Sequence, residues 1–449
     1  MAILVEELED SSMQNADLPS VDDLLDNLSI PSAYARYNTI EEESTLSSLA
    51  AWKSRALSDL QQLRTLLTQL TTDIHDTARL ILTVVPFTSA SREWTSSSLH
   101  STATSILSTI SPTPELLEEI FAHQLKPIFA KTPHPLLNAD TGRKLSRPLG
   151  GPLAAQDLYE GQVWKSYPGI GEVVLWCVER VSTEMYERMW FLIVPPAMTL
   201  LDDYEIAWKI DGVRVARALV HNAPPELLKR TGVSDLLYES FKRAMTLLHE
   251  PQTPLLLRLS TSTAISLILA TTPEGSEARY NRLCGLLGDG IIGSAWMHAS
   301  REPETIQASI EVLPEIVDAL GIGAVRYLKA LVPQLCHPLL PDPARKSAPQ
   351  LQLASLHALS CVTNNCAPRI HKWKGAIFAA IASCVVLLDD AEKAGKPLPE
   401  AHDLRGALRE AYTRLESAAP DVRKDYERVH ELDARLFDEV LPLPVVVGT

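Results

Sequence analysis

Asp202 and Asp203 stand side by side in this 449-residue chain, a carboxylate pair that could share a proton or hold Mg²⁺. Neighbouring residues on a helix point about 100° apart, so the two do not converge on one ion. Capping of a helix behind Pro195-Pro196 accounts for Asp202 better. Cys361, Cys366 and His371 are spaced like metal ligands, but no fourth ligand lies near, and Cys336-His337 adds no sensible spacing. Gly288-Asp289-Gly290-Ile291-Ile292-Gly293 matches the glycine pattern of dinucleotide sites. Its surroundings are helical, without the preceding strand that pattern needs, so a helix-to-helix turn is expected. No GxSxG, HExxH or phosphate-binding loop is present. The residues predict no catalytic, cofactor-binding or metal-binding site. An enzyme would have to work through Asp202 or His371.

The elements that must hold Asp202 and Asp203 lie in residues 190–219. Pro195 lacks an N–H and Pro196 repeats the block, so a helix through 191–194 is expected to stop there. Asp202 would then cap the next helix, with Glu205 at its third position as in a capping box. Tyr204 and Trp208 fall one turn apart, and Glu205 and Lys209 can pair at i,i+4. Gly212 falls inside that helix, at a cost of about 1 kcal/mol relative to Ala, which points to close approach by a neighbouring helix.

The rest of the chain follows the same pattern of apolar stripes and proline stops. Leu57, Leu60, Leu63, Leu67, Leu70 and Ile74 recur at helical spacing before Pro86. Further helices are predicted over 94–110, 112–129, 157–167, 171–181, 183–194, 255–270, 306–320, 324–336, 350–364, 369–393, 401–417 and 422–440. Leu237, Phe241, Ala244, Met245 and Leu248 make a single-face stripe. No strand-turn-strand pattern occurs. Helix pairs of about 40 residues, with room for roughly nine, predict an all-α, HEAT-like or armadillo-type α-solenoid of stacked antiparallel pairs.

Charge is uneven. The chain carries −15 overall, and residues 1–43 hold eleven acids against one Arg. Such a balance argues against nucleic acid as a ligand. The expected organisation is an acidic segment over 1–45, helical repeats over 46–130, a basic Pro/Gly-rich loop over 131–156, HEAT-like repeats over 157–440 and a tail over 441–449. Within the first segment, 21–28 can form one short amphipathic helix. Within the loop, Arg143, Lys144 and Arg147 are positioned to meet an acidic partner or the acidic N-terminus. The N-terminus has no secretory pattern, the near-continuous apolar run 376–388 is too short to span a bilayer, and six scattered Cys read as reduced thiols. Neither a membrane nor a small-molecule substrate is expected, and the location expected is cytosol or nucleus. Arg326-Tyr327 and Arg369 with Trp373 sit near helix starts, where Arg and aromatic side chains serve as partner anchors or as inter-repeat packing.

Four stretches together carry a family resemblance. PPAMTLLDDYEIAWKIDG (195–212) resembles the central signature of the Tti-two family, the Tel-two-interacting protein two, of fungal type. ALGIGAVRYLKALVPQL (319–335), NNCAPRIHKWKGAIF (364–378, with Ala367 in place of a large aromatic) and DLYEGQVWKSYPGIGEVVLWCVE (157–179) are similar to its other segments in order and spacing. The resemblance covers roughly 130–390 and implies a HEAT-like subunit of the Triple-T complex with Tti-one and Tel-two homologues. That complex is a co-chaperone adaptor of the Hsp-ninety machinery for phosphatidylinositol-3-kinase-related kinases, with roles in DNA-damage signalling and telomere maintenance. It implies no activity and no cofactor of the subunit's own. It makes Asp203, Tyr204, Lys209, Arg326, Tyr327, Arg369 and Trp373 signature or partner-contact candidates. Pro195, Pro196, Asp202 and Gly212 are the structural positions. A transport receptor or a phosphatase regulatory subunit is the alternative scaffold of the same build.

Overall fold

In the computed structural model, which describes residues 20–35, 43–68, 73–149, 161–342, 348–395 and 398–441, every regular element among the described residues is a helix. The expected acidic stretches 1–19 and 36–42, the end of the basic loop, the start of the 157–167 helix and the tail 442–449 lie outside the described residues. The chain divides into two compact units, one of residues 1–132 and 160–181, the other of 133–159 and 182–449. Residues 160–181, expected with the long array, therefore belong to the first unit, and the basic loop from Pro133 on belongs to the second.

The first unit holds α1 (Val21–Asn27), α2 (Glu43–Leu67), α3 (Ile74–Val84), α4 (Ser97–Leu107), α5 (Pro114–Glu119), α6 (Lys126–Phe129) and α7 (Ile170–Val178). A π-helical stretch, Ile120–Leu125, joins α5 to α6. The short helix expected at 21–28 forms and is ordered against the body. Ser20 caps it in a capping box, Leu24, Leu25 and Leu28 are buried, and Arg79 holds Asp22 and Asp26. Trp52 stacks on Phe87 beside Tyr34, and Arg92 pairs with Glu172 in the interior. Helix α2 uses Leu49, Trp52, Ala56, Leu60 and Leu63 for its core face, whereas Ile74 of the expected stripe is half exposed.

The second unit is a two-row stack. One row consists of α9 (Ile206–Asn222), α12 (Thr253–Thr271), α14 and α15 (Pro303–Glu311, Leu313–Leu320), α17 (Pro349–Asn365) and α20 (Ala401–Ala418), each packed on the next. The other row consists of α8 (Tyr186–Leu201), α10 and α11 (Pro225–Arg230, Val233–Ala244), α13 (Glu277–Gly285) continued by a π-helix (Leu286–Trp296), and α16 (Leu328–Cys336). It is completed by α18 and α19 (Ala367–Ile370, Lys374–Lys393) and by α21 and α22 (Val422–His430, Ala434–Val440). This is the all-α, solenoid-like arrangement that the helical rhythm predicts. Layers recur nearer fifty than forty residues, because short helices and turns such as Gly321–Tyr327 lengthen each connection. By length and composition alone α12 could cross a membrane; it is the helix on which α9, α11 and α14 pack. Because the chain alternates between rows, turns entering the first row lie at one edge and turns leaving it at the other. Residues 202–205 fall on the entering edge; 321–327 and 366–373 fall on the leaving edge.

Candidate interaction site

The hairpin of α8 and α9 departs from its sequence reading. Helix α8 runs through Pro195 and Pro196 to Leu201, and Asp202 is its C-terminal cap, not the N-terminal cap of the next helix. Each interior proline costs about 3 kcal/mol of helix propensity. The helix is nevertheless packed on nearly every side there, with Val194, Pro196, Ala197, Met198, Leu200 and Leu201 buried, and burial outweighs propensity. Helix α9 starts at Ile206 behind Glu205, which makes no side-chain cap. The turn is closed instead by Asp203, whose Oδ1 accepts the Glu205 N–H at 2.8 Å.

Freed from capping, Asp202 turns into the interior. Its Oδ2 lies 3.0 Å from His134 Nε2, and both carboxylate oxygens accept from one Arg243 nitrogen at 3.0 and 2.9 Å. His134 Nδ1 accepts the Leu136 N–H at 3.3 Å, so the Nε2 hydrogen is the one given to Asp202. Arg243 also donates to Ser240 Oγ at 2.9 Å. Burial works against the Asp202 charge, but the His134 hydrogen bond and the Arg243 charge bring its pKa down to about 2. Lys209 is buried too, and its ammonium donates to the Leu201 carbonyl at 2.7 Å, a cation at the C-terminal end of α8. Burial lowers the Lys209 pKa, and the Asp202 charge opposes that shift. Next to this cluster Gly212 lets α9 touch α8: a Cβ there would meet Leu201 and Leu200 backbone atoms.

The basic loop supplies His134 and is folded down on the array as a strap. Asn138 Oδ1 accepts the Asp140 and Thr141 N–H groups, Leu145 N bonds Leu136 O at 2.9 Å, and Leu137 and Lys144 form an isolated antiparallel bridge. Trp190 Nε1 donates to the Gly142 carbonyl at 3.1 Å, and the Lys144 N–H donates to Thr231 O at 2.9 Å. Lys144, expected to meet a partner or the N-terminus, turns its ammonium to Asp235 of the array at 3.8 Å. Arg143 and Arg147 remain exposed.

The other sequence candidates do not converge on Asp202. Tyr204 is exposed on the entering edge above buried Asp203. On the leaving edge, Tyr327 donates its hydroxyl to Cys284 O at 3.2 Å, and exposed Arg326 lies over the Tyr327 ring at 5.2 Å. Arg369 is exposed and Trp373 half-buried on the next turn. The glycine motif 288–293 is not a turn: it lies within the π-helical continuation of α13, with Gly288 under the Tyr327 hydroxyl and Gly290 under Met245. Cys361 Sγ donates to Asp318 Oδ1 at 3.1 Å, Cys366 is buried and His371 is exposed. Burial pushes the Cys361 and Cys366 thiols up to about 12 and about 11. The arrangement supplies a rigid corner and an exposed edge, with the ionisable side chains of the corner engaged in holding it together.

Comparison with known proteins bears on this second unit most. The Tti2 family model matches residues 80–345. TELO2-interacting protein 2 of Homo sapiens is 28% identical over 198 residues, covering 43% of this chain and 37% of that protein. The proteins of the same name from Rattus norvegicus and Mus musculus are 25% identical over 173 and 174 residues, 38% of this chain and 33% of each. The chain thus spans roughly a third of the length of the curated relatives it matches.

Proposed function

The chain belongs to the Tti2 family, and from that we propose that it is a non-catalytic scaffold subunit of a Triple-T complex, bound to homologues of Tel-two and Tti-one. The single observation that carries this reading is the family match over 80–345, which spans the strap, the α8–α9 hairpin and the 321–327 turn. The mammalian relatives are named for interaction with TELO2, and the proposal extends that interaction to this chain. The stacked helices support it physically, since such an array offers long faces to other proteins. In this reading the complex adapts phosphatidylinositol-3-kinase-related kinases to the Hsp-ninety machinery, in cytoplasm and nucleus. Asp203 and Lys209 then serve the α8–α9 corner, and Tyr204, Arg326, Tyr327, Arg369 and Trp373 are contact candidates.

The test is affinity purification of the tagged chain from its native cells, followed by mass spectrometry and by kinase levels after depletion. Both homologues are expected to co-purify at comparable abundance, and the kinases to fall at the protein level while their transcripts hold. Recovery of neither homologue overturns the reading.

A further inference from the structure

The leaving edge of the second unit carries a surface that packing within the chain does not explain. Ile322 is 58% exposed in the turn between α15 and α16. Its position depends on Gly321, held at φ +53° and ψ −133°, which side chains other than glycine's hydrogen rarely adopt. Gly323 follows, and a Cβ there would stand 2.8 Å from the Tyr280 ring, so the turn is shaped to let Tyr280 lie on it. Tyr280 and Leu269 are themselves 37% and 42% exposed. Tyr280 and Ile322 are thus presented outward beside one another, with Leu269 exposed at the end of α12 on the same edge.

Cations stand on the 326–372 side of them, while Glu274 and Glu277 are exposed on the 272–277 side. Arg326 lies over the Tyr327 ring and reaches the Tyr280 hydroxyl at 3.5 Å, so aromatic groups hold its guanidinium in place without neutralising it. Lys329 follows on α16, and Arg369 and Lys372 stand exposed on the next turn of the same edge. None of these four has a carboxylate partner among the described residues. Residues 319–341 and 364–388 contain no Asp or Glu at all, in a chain of net charge −15. Asp318, at the end of α15, is already engaged by Cys361 and Asn365.

We propose that this edge, from Leu269 and Tyr280 across the 321–327 turn to Arg369, takes an acidic protein segment carrying large apolar side chains. The proposal rests on the scaffold reading above and adds the chemistry of one partner. The carboxylates meet Arg326, Lys329, Arg369 and Lys372, and an apolar side chain covers Ile322 beside Tyr280. A nucleic acid fits less well, because the apolar groups interrupt the cations.

The test uses the full chain and four fluorescein-labelled probes: an amphipathic Glu/Leu peptide of about eighteen residues, poly-glutamate and a Lys/Leu peptide of equal length, and oligo-dT of equal length. The Glu/Leu peptide is expected to bind saturably and more tightly than poly-glutamate, with no binding of the other two. The double variant Arg326→Glu/Arg369→Glu is expected to weaken it at least about tenfold, and Ile322→Ser several-fold, with unchanged helicity and thermal midpoint. Absence of saturable binding, equal binding by the double variant, or oligo-dT binding as tightly as the peptide overturns the proposal. If the wild-type chain still co-purifies the Tel-two and Tti-one homologues, such a result refutes this edge alone. If it co-purifies neither, the scaffold reading fails independently.

Discussion

Gly212 sits against Leu201 so closely that a Cβ on Gly212 would stand 2.2 Å from the Leu201 backbone nitrogen and 2.3 Å from its Cα. The atoms it would strike are backbone, so no side-chain rotation relieves the clash. Helix α9 must instead move off α8. Gly212→Ala gains about 1 kcal/mol of helix propensity but forces apart two buried helices, a cost of several kcal/mol. The expected result is a fall in thermal midpoint and looser packing of Trp208 and Lys209, read by calorimetry and Trp fluorescence. A variant as stable as the parent would mean that the helices are not in this contact.

Asp202 makes stability depend on pH in a stated direction. Its folded-state pKa is about 2 against an ordinary 3.8, so it stabilises the fold fully above the ordinary carboxylate range. That contribution is lost as pH falls through about 4 toward 2. Its size is about 2 kcal/mol by linkage. Asp202→Asn is expected to lower stability at neutral pH by about 2–4 kcal/mol, since Arg243 loses its charge partner and His134 its charged acceptor. It should also flatten the urea-midpoint profile between pH 4 and 2. A variant that keeps the parent's slope there would remove Asp202 as its source.

How much of this was readable in advance varies with how local the cause is. Helix α9 ends at Asn222, where Ala223-Pro224-Pro225 says it should, and the stripe from Leu237 to Leu248 is buried as its spacing predicts. Those are local signals. The course of α8 through Pro195-Pro196 is not, because it depends on burial by helices distant in sequence. The same holds for Asp202: His134 is 68 positions away and Arg243 is 41, and neither carries a local motif. Only the hint that Gly212 needs a close neighbour pointed into this corner. The glycine motif misled for a related reason, since glycines that admit Tyr327 and Met245 look the same in sequence as glycines that make a turn.

The strap should come loose when His134 is removed. Its imidazole links the loop to α8 through Asp202; the Trp190 and Lys144 hydrogen bonds, the exposed Lys144–Asp235 pair and the packing of Leu137 and Gly142 also hold it. Arg143 and Lys144 are trypsin sites within it, whereas Arg147 is not, because Pro148 follows it. His134→Ala is expected to speed cleavage at these sites by an order of magnitude or more, while α12 and α17 remain protected, as judged by mass-mapped limited proteolysis. Unchanged cleavage would show that the strap is held without His134.

Pro195 offers a test in the stabilising direction. It is only half-buried, unlike Pro196, so little packing is lost by shortening it. Pro195→Ala restores a backbone donor inside α8 and recovers up to about 3 kcal/mol of helix propensity. Against this, the unfolded chain gains freedom worth about 1 kcal/mol. If α8 is one continuous helix to Leu201, the balance favours the alanine, and the thermal midpoint should rise by a few degrees. If the prolines instead end the helix at Val194, the alanine has no helical hydrogen bond to restore and stability should stay level or fall. Calorimetry of this one variant therefore separates the two descriptions of the corner that holds Asp202.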